Sequence, residues 1–238
     1  YYPMLSVHSP FLPTPDSKNR NHKNASDNYR DMVSYMDKCV QRLVDTLDKN
    51  GLRENTVVIF TTDNGTHTSL TYPYQGKNRK GEKAYPTDGG CHAPLIINCP
   101  GTVTSGSETN DLVDFSDFMP TLAEIGNAQL PDVTLDGRSF WPQCTGKPGN
   151  PREWVFQYYY PKKKDAATQY GEGQPYIIWA QDQNFKLYSH GKFIAVEDRY
   201  ETNNIAVGQG TPAAETARRK LQSAINIMPK TNKNIKVK

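Results

Sequence analysis

Asp63 and Asn64 place a carboxylate and an amide carbonyl side by side where an apolar run, Val57-Val58-Ile59-Phe60, gives way to Gly65. Both are hard oxygen donors, suited to Ca²⁺ or Mg²⁺ rather than to a thiophilic metal. Asp-Asn-Gly is also an ordinary turn, because Asn and Gly accept left-handed backbone angles and Asp bonds its own turn amides. The residues downstream favour a metal pair over a plain turn. A loop longer than a simple connector, of a length that often carries function, brings Lys77, Lys80 and Lys83 with few acids among them. Asp88, Gly89-Gly90 and His92 come next. A strand end able to hold a metal, facing a cationic loop that closes on a glycine pair, is what binding an oxyanion requires.

These residues need elements to place them. The continuous apolar run before Asp63 suits a strand buried on both faces, as in a parallel sheet, and ligands of such sheets bind beyond the carboxyl ends of the strands. Upstream, Tyr29, Met32, Met36, Cys39, Val40, Leu43, Val44 and Leu47 recur at spacings of three and four, which predicts one face of a long helix from Ser26 to Asn50. Asn24, Ser26 or Asp27 can cap its start, and Asn50-Gly51 can end it. This helix is expected to cover the sheet that carries Asp63. A short strand is expected over residues 1–7, followed by a proline-rich loop at Pro10, Pro13 and Pro15. Pro94–Cys99 reads as a second buried strand, Leu112-Val113-Asp114 as a short third, and Ser116 as the cap of a helix that runs to Ile125 and stops at Gly126. Strand and helix in alternation argue an α/β fold with a mostly parallel sheet and flanking helices.

The composition changes near Asp136-Gly137-Arg138. Beyond it, Trp154–Tyr160, Tyr176–Ala180, Phe185–Ser189 and Lys192–Val196 read as short strands, the last two joined by a His190-Gly191 hairpin. Thr211-Pro212 opens a helix with Ala214, Ala217, Leu221, Ala224 and Met228 on one face, stopped by Pro229 before a Lys/Asn-rich tail expected to lack order. The expectation is therefore two domains, 1–145 and 146–238, the second a small antiparallel sheet with a covering helix. The Tyr158-Tyr159-Tyr160 run is assigned to packing rather than to a carbohydrate platform.

The 238 residues are 36% apolar and 22% charged, an ordinary globular composition, and the net charge of +3 is too small to argue for nucleic acid or a membrane surface. No apolar run approaches the about 18 residues of a membrane span. The four cysteines have no zinc-type spacing, and Cys39 reads as a buried free thiol. Asn24-Ala25-Ser26 and Asn64-Gly65-Thr66 match the glycosylation pattern, which is short, and a sugar on Asn64 would block the metal pair. The chain opens on Tyr1-Tyr2-Pro3 without an initiator methionine or signal-peptide architecture. It is expected to be the carboxy-terminal piece of a longer protein, so its location stays unread.

The stretch TTDNGTH…GEKAYPTDGGCHAPLIINCPG resembles the second signature region of the formylglycine-dependent sulfatases, within the alkaline phosphatase superfamily. The resemblance implies that Asp63 and Asn64 bind Ca²⁺, with Mg²⁺ as the alternative. The family's lysine stands five residues before the acidic residue that precedes the glycine pair, which makes Lys83 the match. His92 stands where many members carry Arg. PMLSVHSPFLPTP resembles the segment in which a strand delivers a histidine to the sulfate, and His8 is the matching residue. The resemblance therefore implies Lys83 and His8 as catalytic groups, with His67 and His92 as substrate-positioning residues. GKFIAVEDRYETNNIA resembles the family's carboxy-terminal turn. A periplasmic or secreted location is implied at the family level only.

Cleaving a sulfate monoester needs a nucleophile, cations on the sulfuryl oxygens and an acid for the leaving oxygen. The family's nucleophile is a formylglycine made from Cys/Ser-x-Pro-x-Arg, and no cysteine or serine of this sequence has Pro at +2 with Arg at +4. The family's amino-terminal Asp pair is also missing. Three readings stand: part of a sulfuric ester hydrolase acting on a sulfated small molecule or glycan, a phosphate or phosphonate ester hydrolase of the same superfamily, or a non-catalytic module binding a metal or a sulfated glycan. The isolated chain is expected to turn over little substrate and, carrying part of a sheet, to self-associate.

Overall fold

A computed structural model describes residues 1–159 and 176–228, and contacts group the chain into two units, Tyr1–Ser105 and Gly106–Lys238. Tyr160, Pro229 and the Lys/Asn-rich tail lie outside the described residues.

In the first unit, helix α1 spans Ala25–Lys49. Its cap is Asn24, whose side chain accepts from the amides of Ser26 (2.9 Å) and Asp27 (3.2 Å). It ends in a Schellman turn, with Leu52 N–H donating to Leu47 C=O and Gly51 N–H to Asp48 C=O, and Gly51 at φ +65. The predicted apolar stripe is only partly covered: Met32 is buried, but Leu43 is 47% exposed, and Cys39 is half-buried.

Strand β1 (Val58–Thr61) leads to the Asp-Asn pair. The α/β class stands, but within it the expected parallel pairing is corrected, because β1 runs antiparallel to Leu95–Asn98, with Val58 opposite Asn98 and Thr61 opposite Leu95. Parallel neighbours need a crossover, usually a helix. Here the intervening chain folds into a hairpin instead, β2 (Thr71–Tyr74) against β3 (Lys77–Lys80), then the single turn α2 (Asp88–Cys91), before Leu95–Asn98 returns as β4. β1 is half-buried along its length rather than buried on both faces. The hairpin occupies a stretch that the sequence presents as plain loop. Its tip, Gln75 (φ +48) and Gly76 (φ +74), has the two left-handed residues of a type I′ turn. The strand expected over residues 1–7 is absent. Val7 turns at φ +66, and Tyr1 and Tyr2 are exposed.

In the second unit the helix cap is Asp114 rather than Ser116. Asp114 accepts from the Ser116 amide and donates its own amide to Asp117, forming a capping box for a 3₁₀ turn that leads into α3 (Phe118–Ile125). Leu112 makes only an isolated bridge with Arg152. Asp117, 1% exposed, takes a two-armed ion pair from Arg152 (2.7 and 2.5 Å). A short α4 (Trp141–Cys144) comes next. Strands β5 (Val155–Tyr159), β6 (Ile177–Gln181), β7 (Phe185–Tyr188) and β8 (Phe193–Ala195) make an antiparallel meander, as expected. Helix α5 (Pro212–Ile227) covers it, with Leu221, Ala217 and Ala224 packing on Ile178, Leu187 and Phe193.

Candidate functional site

Asp63 and Asn64 follow β1 after one residue, Thr62, and glycines let the neighbouring loops come close. The Gly65 amide donates to the Gly90 carbonyl (3.0 Å). A Cβ on Gly65 would lie 1.8 Å from the Gly89 oxygen, and one on Gly81 would lie 2.1 Å from the His67 oxygen. The Lys83 amide donates to the Thr66 carbonyl (2.9 Å). Three main-chain segments, 63–67, 81–83 and 89–90, are thus pressed together, and Asp63, Asn64, His67 and Lys83 belong to one loop cluster.

Among the described residues, the side chains of Asp63, Asn64 and Lys83 make no hydrogen bond or ion pair. An unpaired carboxylate next to an unpaired amide oxygen fits a hard dication, supplying two of the six to eight oxygens that Ca²⁺ takes. Among the described residues no group of three or more His, Cys, Asp or Glu could hold a metal, so an ion held by this pair would need further oxygens of another kind, such as main-chain carbonyls or water.

His8 joins less directly. Its Nδ1 donates to the Ser9 carbonyl at 2.7 Å, and among the described residues no hydrogen bond or ion pair ties its side chain to Asp63, Asn64 or Lys83. The loop after it does reach the cluster: the Phe11 ring meets His67 edge-on at 5.6 Å and Tyr29 at 5.4 Å. Buried Asn28 holds that loop, its Nδ2 donating to the carbonyls of Phe11 and His22, both at 3.0 Å. The His67 imidazole is engaged by Ser69, through its amide (3.1 Å) and its hydroxyl (2.8 Å). His92 is exposed, with Nδ1 3.1 Å from an Asp88 oxygen.

Sequence reasoning passed over Arg79, which looks like one more solvated charge in Lys77-Asn78-Arg79-Lys80. It is 3% exposed. Burial alone would lower its basicity, but hydrogen bonds and charge from Glu82, then Asp88, outweigh that and hold the guanidinium above its ordinary value. Across the hairpin, burial raises the Tyr72 phenol, and Arg79 offsets part of that. The signal available in the sequence was the alternation Thr71-Tyr72-Pro73-Tyr74, a strand pattern that pairs Tyr72 with Arg79.

A family model for sulfatases matches residues 1–128. The chain belongs to the sulfatase family. A model for the C-terminal region of N-sulphoglucosamine sulphohydrolase also matches the chain, over residues 79–224. Steryl-sulfatase of Rattus norvegicus is 32% identical to it over 162 residues, 65% of this chain and 28% of that protein. Arylsulfatase A of Homo sapiens is 36% identical over 132 residues, 55% and 26% of the two chains. A phosphonate monoester hydrolase from Silicibacter pomeroyi shares the fold, with a TM-score of 0.62 at 22% identity over 86% of this chain and 41% of that one. The chain spans less than a third of the length of the curated relatives it matches.

Proposed function

We propose that this chain is the carboxy-terminal portion of a sulfuric ester hydrolase, with Asp63 and Asn64 as ligands of Ca²⁺, or of Mg²⁺ in its place. The observation that carries this reading is the pair of main-chain bonds, Gly65 to Gly90 and Lys83 to Thr66, that gathers an unpaired carboxylate, amide and ammonium into one loop cluster. When bound, the dication supplies charge stabilisation on the sulfuryl oxygens, and a formylglycine from the amino-terminal part supplies the nucleophile.

The chain's own residues do the rest. Lys83 sets an ammonium, a compact point charge, against the negative charge that grows on a sulfuryl oxygen or on the leaving oxygen. The Ser9 carbonyl can only accept, so Nδ1 of His8 carries a proton and Nε2 is left to meet the substrate. In the imidazolium form Nε2 can then protonate the departing alkoxide or phenoxide. His67 and His92 position the ester. No helix among the described residues is long and apolar enough to cross a membrane, and a periplasmic or secreted location is part of the same family-based proposal.

Calorimetric titration of Ca²⁺ into the 238-residue chain tests the metal pair. Asp63→Asn is expected to weaken binding about tenfold or more by removing one ligand charge, whereas Lys83→Ala retains it. Equal affinity in the Asp63→Asn chain overturns the assignment. Aryl sulfate turnover by the isolated chain is expected to be negligible, and turnover that disappears in Lys83→Ala would show that the missing part is not needed. Reading the codons upstream of Tyr1 decides between enzyme and binding module: Cys/Ser-x-Pro-x-Arg supports the first, its replacement the second. The fold shared with a phosphonate monoester hydrolase favours a second reading, phosphonate ester cleavage, which stronger retention of phenylphosphonate than of sulfate by the Ca²⁺-loaded chain would support.

A further inference from the structure

Arg79 lies in a strand whose other three residues are exposed, yet its guanidinium is fully committed inside the protein. Nε donates to one Glu82 oxygen (3.1 Å) and Nη2 to the other (3.3 Å), while Nη1 donates to Asp88 (3.4 Å). Glu82 also accepts from the Thr87 hydroxyl (2.5 Å). The other Asp88 oxygen meets His92 Nδ1 (3.1 Å). The segment from Glu82 to Asp88 is therefore closed at both ends on a single buried cation, and Lys83 is the second residue of that closed segment.

Two further features show that the closure is tight. Ala84, next to Lys83, is held at φ +70, where a side chain other than glycine is strained. A Cβ on Gly89 would fall 2.7 Å from Arg79 Nη2 and 2.8 Å from a Glu82 oxygen, so the ion pair fills the space directly against the glycine pair. At 3% exposure Arg79 cannot itself meet a substrate. Its effect has to pass through the residues it holds.

We propose that Arg79 is a positioning residue for the sulfate site, aiming Lys83 through Glu82 and His92 through Asp88. This rests on the role proposed for Lys83 in binding the sulfuryl group. An Arg is required because its planar fork grips Glu82 with two parallel bonds while a third reaches Asp88, which the point charge of a lysine cannot reproduce.

The test uses the full chain loaded with Ca²⁺ and titrated with sodium sulfate, monitored by the amide shifts of Lys83 and Gly90. Arg79→Met is expected to weaken sulfate binding about tenfold, the size of loss that accompanies a displaced binding group, and Arg79→Lys is expected not to restore it. Lys83→Ala is expected to lose a similar factor, and the double variant to lose less than the product of the two single losses, because the changes share the Lys83 interaction. Unchanged affinity in Arg79→Met, or losses that multiply in the double variant, overturn the proposal. If Lys83→Ala leaves sulfate binding unchanged, the role given to Lys83 fails and the clamp is judged on hydrogen exchange. Arg79→Met should then speed exchange of the Lys83 and His92 amides, which bond Thr66 and Asp88, by about tenfold relative to the middle of α1. Equal rates overturn the clamp as well. Glu82→Gln, which cuts one arm and leaves Arg79 in place, gives the same readouts if Arg79→Met does not fold.

Discussion

Around α5 and its four-stranded sheet, side chains such as Ile178, Leu187, Phe193 and Leu221 are almost wholly removed from water, while between Asp63 and His92 hardly any are. Of the buried apolar residues among those described, only Met32, Leu70, Pro86 and Cys99 fall in the first unit. The candidate site is held instead by main-chain bonds, by glycines that admit a neighbouring carbonyl, and by the buried Arg79. Apolar burial is non-directional and roughly proportional to area, so a sheet built that way keeps its place through many contacts of modest individual effect. Main chain pressed on main chain leaves no room for an added methyl group. The first arrangement provides stability, and the second provides aim.

Leu221→Ala should show the largest change in stability, because it empties a site that is 0% exposed. A loss of about 4 kcal/mol in chemical denaturation is expected, with Ca²⁺ affinity under native conditions unchanged. A change of less than about 1 kcal/mol would mean that the two units differ less than their burial implies. Gly65→Ala adds one carbon where Leu221→Ala removes several, and is expected to cost about 2–3 kcal/mol by overpacking against the Gly89 carbonyl. Unlike Leu221→Ala, it should also abolish Ca²⁺ binding measured by calorimetry. A Gly65→Ala chain that binds the ion normally would show that the close approach does not set the site. The smallest effect is expected at Asn24→Ala, about 1 kcal/mol from the lost cap of α1. Asn24→Asp should recover most of it, as read from the helical signal on heating.

How far the sequence could be read divides along the same line. The C-terminal sheet and α5 announce themselves by periodicity, since Ala214, Ala217, Leu221 and Ala224 recur at helical spacing and all four are buried. The ends of α1 are nearly as plain, as Asn24, one of three candidate caps, and Asn50-Gly51 act through local hydrogen bonds that need no knowledge of the rest of the fold. Asp63, Asn64 and Lys83 stand out through a motif, and the structure brings them into one loop cluster. What escaped was non-local. The antiparallel return of β4 depends on what the chain does between Gly65 and Pro94. The hairpin there hides behind lysines and a proline that lower its strand signal, and its Gln75-Gly76 tip lacks the usual Asn or Asp in first place. Arg79 escaped because nothing in Lys77-Asn78-Arg79-Lys80 says which of three cations will face inward. That is decided by its pairing opposite Tyr72.

The β2–β3 hairpin is closed at its root by the bond from the Gly81 amide to the Leu70 carbonyl (2.9 Å). Everything beyond that bond hangs from a fixed base, so residues can be inserted or removed at Gln75-Gly76 without altering the distance between Asp63 and Lys83. Evolution, or an engineer, can therefore vary the length of the turn at its tip, as long as Arg79 stays in β3, while the groups below it keep their places.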